Sequence, residues 1–471
     1  MTKHLDIDTK AMRAKILDLA IRGKLTDQRQ EDGNARDLLK EIQEEKERLI
    51  KEKKIKKEKP LPEITEEEKP FEIPGNWEWV RLGDICQINP RNHVQDENVN
   101  VSFLPMALIG EGYGSNYCPE IRKWKDVKKG FTHFANNDVV LAKISPCFQN
   151  LKSAIMNNLT NGIGAGTTEL HVLRRYSHTL DPKYLLCFVQ NQNLIQDGIK
   201  TFKGVVGQQR IGKDFIKEYL CPLPPLAEQH RIADKVSALF AQLDVIDKAY
   251  EEYQELQQAM KAKLLELAIQ GKLTDQRKED GNARDLFQDI QEEKQRLIAE
   301  KKIKKEKPLP EIEADEIPFE IPENWMWVRI GDIFTLQSGK SIKANEISVK
   351  QDDEYRYPCF GGNGIRGYVK AFNREGDYPI IGRQGALCGN INFSSGKFYA
   401  TEHAVVTDGY SKVNAYWAVI FLKALNLNQY ATATAQPGLS VTKINTVLIP
   451  LPPLAEQQRI VAKLDELLLL L

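Results

Sequence analysis

The stretch from Met12 to Asp84 is written out again 248 residues later, from Met260 to Asp332. ILDLAIRGKLTDQRQEDGNARDL (16–38) returns as LLELAIQGKLTDQRKEDGNARDL (264–286), and FEIPGNWEWVRLGDI (71–85) as FEIPENWMWVRIGDI (319–333). Beyond each copy lies a second echo, PLPPLAEQHRI (222–232) and PLPPLAEQQRI (450–460), where the offset has fallen to 228. Near-identical segments must fold alike, so the chain is two copies of one unit carrying unlike inserts, 77–220 and 325–448, which differ in length by 20 residues. A duplication of this kind predicts a pseudo-symmetric molecule with two variable heads.

The formal net charge is zero, but the average hides a separation. Residues 77–220 carry 17 Lys+Arg against 13 Asp+Glu, and residues 325–448 carry 13 against 9, so each head is net +4 and the repeated scaffold is acidic. A basic head suits phosphate contacts, although +4 is modest. Seven cysteines, odd in number and without a CxxC pair, argue for reduced thiols and against a disulfide framework or structural zinc. No apolar run is long enough to span a bilayer and MTKHLDIDTK is too polar for a signal peptide, so a cytoplasmic protein is expected.

A proline-led helix start at Pro224 is followed by an apolar seam: Ile232, Val236, Leu239, Leu243, Ile246, Tyr250, Tyr253, Leu256, Met260, Leu264 and Leu267. The steps alternate fours and threes with one slip near 256, a heptad stripe that ends at Gly271. It predicts a helix of about 45 residues, about 65 to 70 Å long. Such a helix needs partners, and the chain ends supply them. Ile460, Leu464 and Leu467 occupy the places of Ile232, Val236 and Leu239, while Met12, Ile16 and Leu19 match Met260, Leu264 and Leu267. Met1 corresponds to position 249 and Leu471 to 243, so the two termini together rebuild one central helix. The expectation is that they abut and pair antiparallel with it, closing a circle. After Gly23 and Gly271 a second helix is predicted by ARDLLKEIQEEKERLIKEKK and its copy, with Glu and Lys at i, i+4. The KKIKKEK tracts at 301–307 and 53–59 read as solvated helix ends.

Each head opens on a strand-like NWxWVRxGDI and closes on LCPLPP or LIPLPP. Inside, GTTELHVL (166–173) resembles ATEHAVVT (400–407), which sets Glu169 opposite Glu402, and the run Asp138–Lys143 resembles Asp377–Arg383. One α+β fold is expected under both heads, with divergent loops suited to two different ligands. Arg can pair with guanine, and Gln or Asn with adenine, at a base edge. The candidate DNA contacts are therefore Lys143, Gln149, Gln208, Gln209 and Arg210 in the first head, and Arg383, Gln384, His403, Gln436 and Lys443 in the second. Trp77, Trp79, Trp325 and Trp327 read as core or scaffold-docking residues, and Glu169 and Glu402 as capping or ion-pair residues.

Several chemistries leave no mark. There is no G-x-x-x-x-G-K-[ST] loop, and the nearest approach to the tetrapeptide of amino-methyltransferases, Asn89-Pro90-Arg91-Asn92, lacks the second proline and the aromatic. GEGYG (110–114) precedes nothing helical, and the seven histidines form no HExxH or deaminase pattern, so neither a catalytic nor a metal site is expected.

Two variable heads, each leading into PLPPLAEQxRI and a helix ending LAIxGKLT, closely resemble the specificity subunit of type I restriction-modification systems over essentially all 471 residues. The resemblance implies pseudo-symmetric α+β target recognition domains at 77–223 and 325–451. These would be separated by helical regions at 1–76, 224–324 and 452–471 that form an antiparallel coiled coil in a circular arrangement. Each head would bind one half of a bipartite double-stranded DNA target. The helices would set the spacer and dock two methyltransferase subunits, with restriction/translocase subunits joining through the complex. The chain itself would be non-catalytic and bind no cofactor; S-adenosylmethionine, ATP and Mg would sit on the partner subunits. The C-terminal region, which stops at the equivalent of 243, is shorter than the resemblance leads one to expect. Two-fold-related heads would meet one face of the duplex with half-site centres about one turn, roughly 10 base pairs, apart. Two rival readings stay open: a stand-alone DNA-modifying enzyme, and a coiled-coil scaffold without DNA specificity.

Overall fold

The duplication is visible in the scaffold helices and in the sheets of the structure, a computed structural model that describes residues 7–471 except 115, 177, 206, 386, 411 and 433–436. Two compact units divide the chain, residues 3–250 and residues 251–471. The long helix Leu226–Ile269 contributes its first part to one unit and its last part to the other.

In the first unit the helix Thr9–Ile21 runs antiparallel to residues 226–247. Arg13 reaches Asp244 at 2.5 Å and Asp247 at 2.9 Å, while Leu17 and Ile21 enter one core with Ile232 and Val236. In the second unit the C-terminal helix Leu454–Leu468 lies antiparallel to residues 257–269, from the Gln257–Leu471 hydrogen bond to a shared core of Ala268, Ile460 and Leu464. Gly23, at φ 66°, ends the first helix: Lys24 N–H donates to Leu19 O at 2.9 Å and Gly23 N–H to Ala20 O at 3.3 Å. A left-handed residue with these two bonds is the helix stop that glycine favours, and Gly271, at φ 69°, repeats it. The second helices follow at Ala35–Lys51 and Ala283–Ala299, each capped by an asparagine side chain, Asn34 or Asn282. Both lysine-rich tracts begin in the left-handed turns that close these helices, at Lys53 (φ 57°) and Lys301 (φ 56°), and run on beyond them.

The LAEQxRI signature is a clamp whose members reach in three directions. Glu228, fully buried, accepts from the Trp77 indole at 2.8 Å, from Gln28 at 2.6 Å and from the Thr26 hydroxyl at 3.1 Å. Gln229, also buried, donates to Pro224 O at 2.9 Å and Thr179 O at 3.2 Å and accepts from Asp181 N–H at 2.8 Å, which ties the helix Pro182–Val189 of the head to the scaffold. Arg231 grips Asp32 through two bonds of 2.5 and 2.6 Å, fixing the turn before the second helix. The second unit repeats the set with Glu456 on Trp325, Gln276 and Thr274, Gln457 on Pro452 O and Asn414 N–H, and Arg459 on Asp280. Hydrogen bonds to an ionised group are the stronger kind, so three neutral donors converging on one carboxylate offset the cost of burying it.

Among the described residues ten strands build the first head: β1 (Glu78–Arg81), β2 (Cys86–Ile88), β3 (Asn100–Leu104), β4 (Glu120–Lys123), β5 (Thr132–Ala135), β6 (Val139–Ala142), β7 (Ser153–Ile155), β8 (Ile163–Gly166), β9 (Leu170–Arg175) and β10 (Leu220–Leu223). The second head has β11 (Met326–Arg329), β12 (Phe334–Ser338), β13 (Tyr357–Gly361), β14 (Gly364–Val369), β15 (Arg374–Glu375), β16 (Tyr378–Gly382), β17 (Ile391–Ser394), β18 (Lys397–Ala400), β19 (Ala404–Gly409) and β20 (Leu448–Leu451). The sheets correspond strand for strand: β2-β9-β6-β7 with β12-β19-β16-β17, and β4-β3-β8-β5 with β14-β13-β18-β15. Even the parallel pairs match, β3 with β8 and β13 with β18. The opening WxWVR and closing LCPL or LIPL segments pair antiparallel as β1–β10 and β11–β20, which brings both ends of each head together on the scaffold. Along β6, Val139 and Leu141 face the helical core while Val140 faces the second sheet, so the strand is buried on both sides.

Among the described residues, the apolar seam of the long helix is partly covered. Ile232, Val236 and Leu243 are buried, as are Ile460 and Leu464 on the C-terminal helix. Ile16, Leu19, Leu239, Leu264, Leu267 and Leu467 are half-buried. Met12, Ile246, Tyr250, Tyr253, Leu256 and Met260 are exposed. The seam keeps a strict step of seven through 236, 243, 250, 257 and 264, and at 257 it passes through glutamine: Gln257 is buried and donates to Tyr253 Oη at 2.7 Å as well as to Leu471 O. The apparent slip near 256 is thus no break in the seam, because the apolar residue there, Leu256, is 62% exposed. On the N-terminal helix the most buried face is Arg13, Leu17, Ala20 and Ile21, next to Met12, Ile16 and Leu19. The expected meeting of the chain ends involves residues 1–6, which lie outside the described residues.

Candidate nucleic-acid interface

At the end of β6 the backbone of Lys143 is held between two loops: its N–H donates to Glu169 O at 2.9 Å and its carbonyl accepts from Ile211 N–H at 3.0 Å. Ser145 and Gln209 exchange bonds as well, Ser145 N–H to Gln209 O at 2.8 Å and Gln209 N–H to Ser145 Oγ at 3.1 Å. These contacts bring Lys143, Gln208, Gln209 and Arg210 to one ridge. Arg210 forms a two-pronged pair with Glu169, Nε to Oε2 at 2.8 Å and Nη2 to Oε1 at 3.0 Å. That bond, helped by the nearby charges of Arg210 and Lys143, holds the Glu169 carboxyl below its ordinary range. Gln149 stands at the far end of the same loop, where it lines a cleft of about 640 Å³ with Glu111, Asn150, Arg13 and Asp244.

The second head makes the same ridge from other side chains. Arg383 N–H donates to His403 O at 3.0 Å and Leu439 N–H to Arg383 O at 2.9 Å, so Arg383 stands where Lys143 stands. The strand registers, Ala142 opposite Leu170 and Gly382 opposite Ala404, match Glu169 with His403. This corrects by one residue the pairing of Glu169 with Glu402: short, differently composed turns hide a one-residue shift that the hydrogen-bonded ladder fixes. Arg383 donates from Nη1 to Ser338 Oγ at 3.0 Å, and Gln384 and His403 come together around a cavity of about 550 Å³ lined also by Asn363, Arg366 and Gly438. Among the described residues, three buried atoms of this region have no hydrogen-bond partner, Arg383 Nε, Glu402 Oε2 and His403 Nδ1. Lys443 lies elsewhere, in the short helix Val441–Asn445, its ammonium 5.6 Å from the Tyr430 ring centre beside Arg329. Gln436 lies outside the described residues.

Trp77 and Trp325 are buried in the clamps, and Trp79 and Trp327 sit edge-on against Phe71 and Phe319 at 5.0 Å, which gives all four tryptophans packing roles. Asn363 and Arg366 escaped sequence reasoning, although the FGGNG turn at 360–364 could have pointed to an exposed loop tip. Among the described residues no group of three or more His, Cys, Asp or Glu could hold a metal ion, and no helix is long and apolar enough to cross a membrane.

Two domains of one fold, each presenting a ridge of different polar side chains from the same strand ends, define a two-headed recognition protein. A family model described as type I restriction modification DNA specificity domain matches residues 74–255 and 322–470, and the chain belongs to that family of specificity subunits. It is 36% identical to the type I restriction enzyme EcoAI specificity subunit of Escherichia coli, over 98% of this chain and 89% of the relative. It is 40% identical to the EcoEI specificity subunit of the same organism over 69% of this chain and 61% of the relative. Among solved structures, the HsdS subunit from Thermoanaerobacter tengcongensis matches with a TM-score of 0.51 and 20% identity, over 85% of this chain and 90% of that one. A chain from a structure of complex assembly and conformational transition in a type I R-M system matches with a TM-score of 0.59 and 21% identity, over 84% and 91%. Both structural likenesses bear on the fold.

Proposed function

We propose that each head binds one half of a bipartite double-stranded DNA sequence, and that the helices set the spacer between the halves and dock two methyltransferase subunits. The observation that carries this reading is the substitution of Lys143, Glu169 and Arg210 by Arg383, His403 and Gly438 at equivalent points of one fold. A ridge built to bind phosphates alone has no need of different side chains in its two copies; a ridge that reads two base sequences does. The chain is a non-catalytic, cytoplasmic subunit. Adenine methylation, translocation and cleavage, with S-adenosylmethionine, ATP and Mg, belong to the methyltransferase and restriction subunits that join it.

A helix acts as a ruler because its rise per residue is fixed. The 44 residues of Leu226–Ile269 amount to about 66 Å. One heptad inserted after Leu256 adds about 10.5 Å, or about 3 base pairs of duplex at 3.4 Å each. Mapping methylated sites in cells carrying the insertion should show both half-sites unchanged and a longer spacer, and exchange of residues 77–220 for another head should change one half-site alone. Altered half-sites with an unchanged spacer after the insertion would refute the ruler.

A further inference from the structure

Arg210, bridged to Lys203 and Ile144, is held at both its backbone and its side chain. Its backbone exchanges two hydrogen bonds with Lys203, N–H to O at 2.9 Å and the reverse at 3.1 Å, and the next residue is tied to Lys143. Its guanidinium is clamped by Glu169, and Nη1 donates to Gln208 O at 2.7 Å. These contacts use three of the five N–H groups. One N–H remains on each terminal nitrogen, and 40% of the side chain stays exposed.

We propose that Arg210 reads a guanine in the half-site of the first head and that Glu169 is the residue that positions it. The inference rests on the reading above that this head binds DNA, and adds the base and the side chain. Two N–H groups on a fixed guanidinium meet the O6 and N7 acceptors of guanine in the major groove, a pairing that no other base edge offers. Glu169 contributes twice. It removes the rotamer freedom that a free arginine would lose on binding. Its negative charge lies beside the guanidinium, so the pair is a weak attractor for a phosphate and is left suited to a neutral base edge. At the equivalent positions of the second head the pair is replaced, Gly438 standing for Arg210 and His403 for Glu169. Guanine reading by this geometry is thus confined to one half-site.

The test is selection of the purified full-length chain on a randomised duplex library, with Arg210→Lys and Glu169→Gln beside the wild type. Arg210→Lys keeps the charge and loses the fork. It should lower the preference for guanine at one position of the first half-site by about 5- to 150-fold, leaving the other positions and the second half-site within about twofold. Glu169→Gln should weaken the same position in the same direction while total affinity holds or rises, because a carboxylate facing the DNA has been neutralised; a merely structural role would not move one base position. A loss shared by all sequences, with the salt slope reduced by about one, would make Arg210 a phosphate anchor and overturn the proposal. So would retained selectivity with no position altered. A wild-type chain that selects no sequence in this half would instead refute the proposed function itself.

Discussion

Replacing Glu228 by alanine removes the one acceptor shared by Trp77, Thr26 and Gln28. The three donors are not equally stranded. Thr26 is half-buried and Gln28 exposed, so both can turn to water, but the Trp77 indole is 3% exposed and its N–H is committed to Glu228. That N–H carries the full penalty of a buried, unsatisfied donor, about 1–3 kcal/mol, and the cavity and the lost charged hydrogen bonds add to it. Relief of the buried carboxylate's own desolvation works the other way, which leaves a net loss of about 3 kcal/mol. For a unit of some 250 residues each kcal/mol moves the midpoint by about 2–4 °C, so Glu228→Ala should lower the melting of residues 3–250 by about 6–12 °C. Glu228→Gln should recover much of the loss, because its amide oxygen can still accept from the Trp77 indole while its NH2 faces Thr26 and Gln28, whose side-chain oxygens can accept. Differential scanning calorimetry of both variants, with Glu456→Ala as the internal control acting on residues 251–471, measures this. A shift below about 2 °C would show that the hub does not hold the fold together, and the account of the LAEQxRI signature would fail with it.

Two further outcomes follow from the same geometry. His171 is buried, with Nε2 on Ile211 O and Nδ1 on Asn89 at 3.2 Å, and burial pushes its pKa down to about 4. The unfolded imidazole takes a proton below about 6.5 and the folded one only below about 4, so stability is lost as pH falls through that window, by up to about 3 kcal/mol. Urea titrations between pH 4 and 7 should show this slope in the wild type, and His171→Val, which installs the residue found at the equivalent Val405, should flatten it; an unchanged slope refutes the assignment. At Gly23, with φ 66°, an added Cβ would lie 2.4 Å from Pro74 Cγ. Gly23→Ala should cost about 2–4 kcal/mol, as should Gly271→Ala against Pro322, and a loss under about 0.5 kcal/mol in chemical denaturation would contradict the account of these two turns.

The scaffold was legible in the sequence because its rules are local. A glycine after an apolar period, an asparagine before ARDL and a proline after a strand each act on their near neighbours, and the helix ends fall where those residues stand. The heads were legible only at their ends. Most of their strands are three to six residues long and several, such as β6, are buried on both faces, so no alternation survives to mark them. The buried polar residues were hidden for a related reason. Glu228, Gln229 and Gln257 look like surface positions on any helix, and it takes partners as far as 202 positions away for Glu228, and 214 for Gln257, to show otherwise. Of the candidate contacts, Lys143 follows β6 directly, while Gln208, Gln209 and Arg210 lie between the helices Gln192–Lys200 and Lys213–Glu218 and are brought beside it by the Arg210–Ile144 bridge and the Ile211–Lys143 bond, pairings far apart in sequence.

The partners chosen by the clamp explain how one scaffold can carry unlike heads. Gln229 addresses the first head through Thr179 O and Asp181 N–H, and Gln457 addresses the second through Asn414 N–H. Arg81 and Arg329, on the repeated end strands β1 and β11, link the two sides by donating to Glu218 O and Thr446 O at 2.8 and 2.7 Å and to Pro62 O and Pro310 O at 2.8 and 2.7 Å. All of these are main-chain groups, which every residue but proline offers in full. Docking by side chain to main chain is blind to the head's sequence, so loops, lengths and charges inside the head can change without disturbing the joint, provided that the backbone arrives at the same place. The paired end strands β1–β10 and β11–β20 secure that arrival, since their ladders fix where the head leaves and rejoins the scaffold. Side-chain recognition is then kept for the ridge, where a difference between the heads has a consequence.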